Sequence, residues 1–148
     1  MGNCIEYYNK YQLNKFTKDS IPFYNLNNKK FLCKVVDIYD GDTCTIIFKN
    51  NRKFQKYKVR MNGYDSPEMK PNKNIKNRST IIKNAKNAKL ALSNMILNKI
   101  VTIECGPWDK YGRLLGTIYI KYNNKQLNIN KWMIENNYGY VYNGGKKK

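Results

Sequence analysis

Three strand-like segments follow one another over residues 31–39, 43–48 and 54–62, and only short turns separate them. The first two are rich in β-branched residues. The third alternates apolar with charged side chains, which is the period of a half-buried strand. Turns of a few residues join antiparallel neighbours. The fold is therefore predicted to begin with a curled, three-stranded antiparallel meander.

The rest of the chain predicts a basic loop followed by helices and two more strands. The loop covers 69–78 and is expected to be mobile. The later elements are a helix over 80–98 capped by Ser79, strands over 100–105 and 114–122, a helix over 127–137 and an extended segment over 140–142. Gly106-Pro107-Trp108 is predicted to break the fourth strand. This element order predicts an α+β, mainly β fold: a five-stranded OB-type barrel with two to three helices.

The apolar positions of the two predicted helices recur with helical spacing, which indicates the faces that pack inward. They are Ala85, Ala88, Leu92, Met95 and Ile96 in the longer helix, and Ile129, Trp132 and Met133 in the shorter one. Lysine and asparagine cover most of the opposite face of the longer helix. Simple core packing explains this stripe.

The length of 148 residues suits one domain with a proper core. We expect an N-terminal extension over 1–30 that is weakly packed or disordered, a domain over 31–143, and a basic, disordered tail over 144–148. Gly2 follows the initiator Met as N-myristoylation requires. Cys4 offers a second acylation site, although Glu6 stands where the usual motif has Ser or Thr. Acylation would allow peripheral membrane association.

The four cysteines are Cys4, Cys33, Cys44 and Cys105, and no two form a C-x-x-C pair. The last three lie in apolar strand-like runs, where free cysteine behaves as a small core residue. Neither a secretory signal nor an apolar run of membrane-spanning length is evident. We therefore expect a reduced, intracellular protein without disulfides or a metal–thiolate site.

The formal net charge of +18 favours a polyanionic partner, nucleic acid first and an anionic membrane surface second. A bias towards A/T-rich codons explains part of the lysine count, but it does not explain the scarcity of acids. The 13 tyrosines suit base stacking. The chain has no histidine, which excludes His-dependent nucleophilic triads and His-ligated zinc. Hydrolysis by this chain would have to use carboxylates, water and a hard cation.

The few acids cluster on the turns that follow the first and third predicted strands. They are Asp40, Asp42, Asp65 and Glu68. Arg60 lies on the third strand, and Pro67 stiffens the turn between the last two acids. Clustered negative charge is unfavourable without a cation, and its oxygens suit calcium or magnesium. This set suits a metal-assisted reaction on a phosphate; ordinary solvated charges at a strand end are the alternative.

Three motifs occur in order along the chain. They are Asp40-Gly41-Asp42-Thr43, Arg60-x-x-Gly63-x-Asp65-Ser66-Pro67-Glu68 and Asp109-x-Tyr111-Gly112-Arg113. Together they resemble the staphylococcal nuclease (thermonuclease) family over about residues 31–142. The resemblance implies an OB-fold core and a monomer. It also implies calcium-dependent, sugar-nonspecific hydrolysis of DNA and RNA, in which the 5′-oxygen leaves and a 3′-phosphate remains.

The resemblance further implies a role for each matched residue. The calcium ligands would be Asp42, Asp65 and the Ser66 backbone carbonyl. Asp40 would support these ligands without itself binding the ion. Glu68 would orient or deprotonate the attacking water. Arg60 and Arg113 would hold the scissile phosphate. The substrate contacts would come from Lys110, Tyr111, Tyr140 and Tyr142.

Two other functions remain open from the sequence. One is a catalytically silent OB-fold module that binds nucleic acid, and the other is a membrane-tethered scaffold that uses Gly2, Cys4 and the lysines. Both retain the barrel. Only the nuclease interpretation predicts cleavage that a chelator abolishes.

Overall fold

The computed structural model describes residues 2–144, which form three helices and eight strands. The helices are α1 (Gly2–Leu13), α2 (Arg78–Ile96) and α3 (Ile129–Glu135). The strands are β1 (Lys30–Ile38), β2 (Thr43–Asn50), β3 (Lys53–Met61), β4 (Tyr64–Asp65), β5 (Ile100–Trp108), β6 (Leu114–Tyr122), β7 (Lys125–Asn128) and β8 (Tyr140–Val141). Residues 145–148 of the predicted disordered tail lie outside the described residues.

The main sheet has the strand order β3-β2-β1-β5-β6-β7, and all of these neighbours are antiparallel. Its ends meet where β3 pairs in parallel with β6, with Val59 opposite Leu114 and Arg60 opposite Leu115. This pairing closes five strands into a barrel and covers the edge of β3 over Val59–Met61. The predicted α+β barrel of OB type with two to three helices is confirmed.

The core lies inside this barrel and under α2. The strands bury alternate side chains, including Val35 and Ile46, because successive residues point to opposite faces of a sheet. On α2, Ala88, Leu92 and Ile96 are fully buried, as the periodicity predicts. Helix α2 packs against β1 and α3. Ala88 of α2 also lies directly against Gly41 in the β1–β2 turn.

Helix α3 is tied to the barrel by one buried polar side chain. The Asn130 amide donates to the carbonyls of Asn62 at 2.8 Å and Gly116 at 3.0 Å, and its oxygen accepts from the Ile118 backbone N–H at 3.0 Å. Because each polar atom of this side chain has a partner, the hydrogen bonds offset the cost of burying it. These bonds connect α3, β6 and the turn after β3.

The start of α2 differs from its prediction. Ser79 does not cap the helix but lies in its first turn, and Asn77 is the N-cap residue. Asn77 has φ 64°, in the left-handed region that asparagine tolerates better than most residues. The helix therefore begins two residues earlier, at Arg78 rather than at residue 80, than a hydroxyl cap at Ser79 predicts. It also ends at Ile96 rather than at residue 98.

Two strand boundaries also differ. Gly106-Pro107 does not end the fourth barrel strand, because β5 continues to Trp108 with a register shift between Cys105 and Trp108. A bulge accommodates Pro107, which has no N–H to donate. The predicted helix over 127–137 begins late, since residues up to Asn128 belong to β7. The Asn128 side chain then caps α3 by accepting from the Lys131 N–H at 3.0 Å.

The N-terminal extension contains α1, whose described side chains are exposed except for a half-buried Gln12. At its other end, Leu26 is fully buried in the core. The Asn28 N–H donates to the Cys105 carbonyl at 2.8 Å, and the Cys105 N–H donates to the Lys29 carbonyl at 2.9 Å. Among the described residues, no helix has both the length and the apolar character needed to span a membrane.

Candidate active site

A cleft of about 810 Å³ lies where the β1–β2 turn, the segment after β3 and the β5–β6 loop meet. Every predicted site residue except Tyr140 lines it. These residues are Asp40, Asp42, Arg60, Asp65, Ser66, Glu68, Lys110, Tyr111, Arg113 and Tyr142. The barrel thus brings together residues that are far apart in the chain.

The strand pairings explain this convergence. Thr43 is opposite Arg60 in the β2–β3 ladder, so the preceding residue, Asp42, lies beside Arg60. The Met61 N–H donates to the Asp42 carbonyl at 2.8 Å. The parallel β3–β6 pairing places Leu115 opposite Arg60. It thereby places the loop that precedes β6, with Arg113, at the same end of the barrel.

At the bottom of the cleft, Arg60 joins the two buried carboxylates. Its Nη2 lies 2.6 Å from Asp65 Oδ1, and its Nε lies 3.3 Å from Asp42 Oδ1. Asp42 and Asp65 are only 5% and 3% exposed. Two carboxylates and one guanidinium leave one formal negative charge here. Buried charge of this kind is costly unless it is compensated.

Asp42 is held by the residues of both flanking turns. Its Oδ2 accepts from the backbone N–H of Ser66 at 2.7 Å and from the Ser66 hydroxyl at 2.8 Å. Its Oδ1 accepts from the Thr43 hydroxyl at 3.0 Å. Asp40 supports the turn, because its Oδ1 accepts from the Asp42 N–H at 3.1 Å. The two acid-bearing turns are thus connected through one carboxylate.

Tyr64 lies beneath the site and is fully buried. Its hydroxyl donates to the Gly41 carbonyl at 2.8 Å, and its own carbonyl accepts from Arg60 Nη1 at 2.9 Å. Burial raises the pKa of Tyr64 well above its ordinary value, and the nearby Asp42 charge adds to this rise. The phenol therefore stays protonated and remains a hydrogen-bond donor to the 40–42 turn.

The two arginines of the cleft differ in how many donors they have left for a substrate. Arg60 donates hydrogen bonds to the Met61 and Tyr64 carbonyls and to Asp65, which uses three of the five N–H groups of a guanidinium. Its Nε also forms an ion pair with Asp42. Arg113 binds Asp109 Oδ2 through Nε at 2.7 Å. Within residues 2–144, neither of its Nη atoms makes a hydrogen bond, whereas Nε does. Arg113 is therefore the better placed of the two to bind a phosphate bidentately.

Asp109 organises the loop that carries Arg113. Its Oδ1 accepts from the backbone N–H groups of Tyr111 at 2.8 Å and Arg113 at 2.9 Å. Burial alone would raise the pKa of the Asp109 carboxyl, but the hydrogen bonds and charge of Arg113, with the Tyr111 N–H, together lower it. The ionised Asp109 thus fixes both the loop backbone and the Arg113 side chain.

The remaining predicted site residues lie at the rim of the cleft. Glu68, Lys110 and Tyr111 are exposed, and Tyr142 is half-buried. Tyr111 receives cation–π contacts from Lys110 Nζ at 5.0 Å and from Arg113 Cζ at 5.5 Å. Tyr140, by contrast, donates its hydroxyl to Asp65 Oδ2 at 2.9 Å. The structure describes all of the predicted site residues, and Tyr140 is the one among them that does not line the cleft.

Sequence reasoning missed several contributors to the site. Tyr39 and Lys70 also line the cleft, and Tyr39 is 70% exposed, so its ring is accessible to a base. The third motif contains Asp109, but the sequence does not indicate that this residue orients Arg113. The position of Tyr39 directly before the first acidic turn could have identified it. No signal in the sequence indicates the role of Tyr64.

The donor atoms of the site suit a hard cation. Asp42 and Asp65 supply carboxylate oxygens, which calcium and magnesium prefer, and a cation would neutralise the remaining negative charge. Within the described part of the chain, no three His, Cys, Asp or Glu side chains are grouped closely enough to hold an ion on their own. Backbone oxygens and water would therefore complete the coordination, as is common for calcium.

Thiol chemistry has no place at this site. The four cysteines, all within residues 2–144, are free, and Cys33, Cys44 and Cys105 are buried. Burial raises the pKa of Cys33 to about 12 and that of Cys105 to about 11. It also raises the pKa of Cys44. These thiols stay protonated at neutral pH and are poor nucleophiles.

Comparison with known proteins agrees with the geometry. Residues 58–148 match the family model of staphylococcal nuclease homologues. An uncharacterized endonuclease of Haemophilus influenzae is 31% identical over 116 residues, which cover 78% of this chain and 55% of that protein. An uncharacterized protein of Methanocaldococcus jannaschii is 31% identical over 124 residues, covering 74% of this chain and 58% of that protein.

The chain therefore spans little more than half the length of these two relatives. The family match covers more than half of the chain, including Arg60, Asp65, Glu68 and Arg113. The resemblance inferred from the motifs is confirmed, and the chain belongs to the staphylococcal nuclease homologue family.

Proposed function

We propose that this protein is a calcium-dependent, sugar-nonspecific nuclease that hydrolyses phosphodiester bonds in DNA and RNA. The observation that carries the proposal is the convergence of Asp42, Asp65, Arg60, Glu68 and Arg113 on one open cleft. The net charge of +18 supports a polyanionic substrate. Family membership and the named endonuclease relative support hydrolysis rather than binding alone.

Calcium would be held by Asp42, Asp65 and the Ser66 carbonyl, and when bound it supplies Lewis-acid charge that stabilises a reacting phosphate. The donor chemistry favours a hard cation, and calcium rather than magnesium is proposed because of the family. Asp40 and Ser66 hold Asp42 in place through the hydrogen bonds at 3.1, 2.7 and 2.8 Å. This arrangement limits how far the carboxylate has to move when an ion binds.

Glu68 is the proposed general base. It accepts a proton from a water molecule as the water oxygen attacks phosphorus. The bond from phosphorus to the 5′-oxygen then breaks, the 5′-oxygen leaves as a hydroxyl after taking a proton from solvent, and the 3′-phosphate remains. Arg113 stabilises the charge that develops on the phosphoryl oxygens, since it lines the cleft. Lys110 and Tyr111 are proposed to bind a neighbouring phosphate.

The test is digestion of single-stranded DNA and of RNA with calcium, with magnesium, and with excess chelator. Glu68→Gln, purified in parallel, controls for contaminating nuclease. We expect cleavage of both substrates in calcium, loss of cleavage with chelator, and a loss of about a hundredfold or more in the variant. Treatment of the products with a 3′-phosphatase identifies the new ends. Tight binding without cleavage in any metal would instead establish a silent binding module.

A further inference from the structure

Asp65 is held through both of its oxygens by residues from different parts of the chain. Arg60 Nη2 donates to Oδ1 at 2.6 Å, and the Tyr140 hydroxyl donates to Oδ2 at 2.9 Å. Tyr140 lies 75 residues further along the chain. Hydrogen-bond donors at both oxygens restrict the rotation of the carboxylate about the Cβ–Cγ bond. The torsion angle about this bond is otherwise broadly distributed in aspartate.

The backbone around Tyr140 is fixed in turn by the short β4–β8 pairing. Asp65 is opposite Tyr140, and Tyr64 is opposite Val141. Gly139 packs so closely here that an added Cβ would lie 2.5 Å from the Tyr64 ring and 2.9 Å from the Asp65 carbonyl. Strand β8 therefore cannot shift relative to β4 without disturbing the fully buried Tyr64.

We propose that Tyr140 is a positioning residue that orients Asp65 for binding a divalent cation, rather than a substrate contact. The proposal rests on the proposed calcium-dependent function and adds a residue to it. A hydrogen bond to a ligand carboxylate sets its orientation before the ion arrives, and such supporting partners typically contribute about 10- to 100-fold in metal affinity. The tyrosine hydroxyl supplies this bond without adding a charge.

Tyr142 provides a matched comparison on the same segment. It lines the cleft, and its backbone N–H donates to the Gly63 carbonyl at 3.0 Å. Tyr142 therefore borders the space that a substrate would fill, whereas the Tyr140 hydroxyl binds Asp65. The two tyrosines stand two residues apart, and each can be replaced by Phe with the loss of a single hydroxyl group.

The experiment compares the wild-type protein, Tyr140→Phe and Tyr142→Phe. Calcium affinity is measured calorimetrically without nucleic acid, and kcat and KM are measured on an oligonucleotide at saturating calcium. We expect Tyr140→Phe to weaken calcium binding by about 10- to 100-fold with little change in KM. Tyr142→Phe should leave calcium affinity unchanged. Thermal unfolding of each calcium-free variant shows whether the fold is retained.

Unchanged calcium affinity in Tyr140→Phe, in a wild-type protein that binds calcium and cleaves, would overturn the positioning role alone. A raised KM in that variant with wild-type calcium affinity would likewise overturn it and favour a substrate contact. A wild-type protein that neither binds calcium nor cleaves would overturn the proposed function and this inference together. The wild-type measurement therefore separates the two failures.

Discussion

Arg60 and Arg113 illustrate how two side chains of the same type acquire different roles from their surroundings. Arg60 is 9% exposed and lies between Asp42 and Asp65. Arg113 pairs with Asp109, which is also partly buried, and lines the cleft. Arg60 is thus held within the structure of the site by two carboxylates. Arg113 is the better placed of the two for the proposed contact with a substrate phosphate.

Replacing each arginine by methionine should separate these roles. Both variants should lose about a hundredfold or more in kcat. Arg60→Met should also lower the free energy of unfolding, by about 3–5 kcal/mol, because it leaves two buried carboxylates without their cation. Arg113→Met should lower it less, because the Arg113 side chain is more exposed than that of Arg60. Urea unfolding of the calcium-free proteins measures this difference. Equal stability of the two variants would contradict the structural role of Arg60.

Asp109 should make the free energy of unfolding depend on pH in the acidic range. Since its pKa is lowered in the folded protein, its stabilising contribution is fully present above the unfolded pKa, near 3.8, and is lost as pH falls through the folded pKa. The difference in unfolding free energy between wild type and Asp109→Asn should therefore shrink below about pH 4. Urea unfolding at a series of pH values tests this. A difference that stays constant with pH would refute it.

At the scale of elements, α2 and the β1–β2 turn come into close contact at Gly41. A Cβ on this residue would lie 2.7 Å from the Ala88 Cβ and 2.8 Å from the Ser66 Cβ. Both neighbours are themselves buried, so neither can move away easily. Gly41 and its turn, residues 40–42, are thus packed between helix α2 and the segment that carries Asp65 and Ser66.

Gly41→Ala should therefore destabilise the protein by about 1–3 kcal/mol, because overpacking forces backbone shifts. Cleavage should also fall, since Asp42 adjoins this contact. Gly106→Ala is the matched control, because its Cβ would meet nothing closer than the Leu115 carbonyl at 3.4 Å. Thermal unfolding and digestion assays on both variants provide the measurement. Equal losses of stability and cleavage in the two variants would show that the close contact at Gly41 is not the cause of either loss.

At the scale of the whole molecule, charge and shape act together. The net charge of +18 attracts any polyanion, whereas several of the few acids are concentrated in the cleft. Lysines spread along the whole chain contribute to this general attraction. Lys110 has a more particular position, because it lines the cleft together with Arg113. We therefore expect Lys110 to strengthen nucleic-acid binding through direct contact with one phosphate.

Binding of single-stranded DNA by the Glu68→Gln protein, measured in chelator, should weaken linearly in log–log plots against salt. Adding Lys110→Gln should make the slope shallower by about 0.7, the value for one phosphate contact on a single strand. Lys53→Gln is the control, because Lys53 begins β3 and lies about 23 Å along that strand from Arg60. Equal effects of the two lysines on the slope would show that Lys110 makes no phosphate contact.

Over the whole chain, the sequence by itself determined the order of the five barrel strands along the chain, the buried face of α2 and the family, but not the short strands β4 and β7. Alternation and helical spacing report local burial, so Val59 and Leu92 could be placed from their neighbours alone. The motifs indicated Arg60, Asp65 and Arg113 as candidate site residues, because the spacing of residues within a motif can be seen in the local sequence. The roles of these residues, the acylation of Gly2 and the monomeric state stay predictions.

Only the tertiary structure decided the features that depend on distant partners. The continuation of β5 through Pro107, the pairing of β4 with β8 and the bond from Tyr140 to Asp65 join segments brought together when the barrel closes. The same holds for the Ser66 donors that hold Asp42 from 24 residues away. Local patterns carry no information about such partners, because a side chain's hydrogen-bond geometry is set by the strands on which both residues lie.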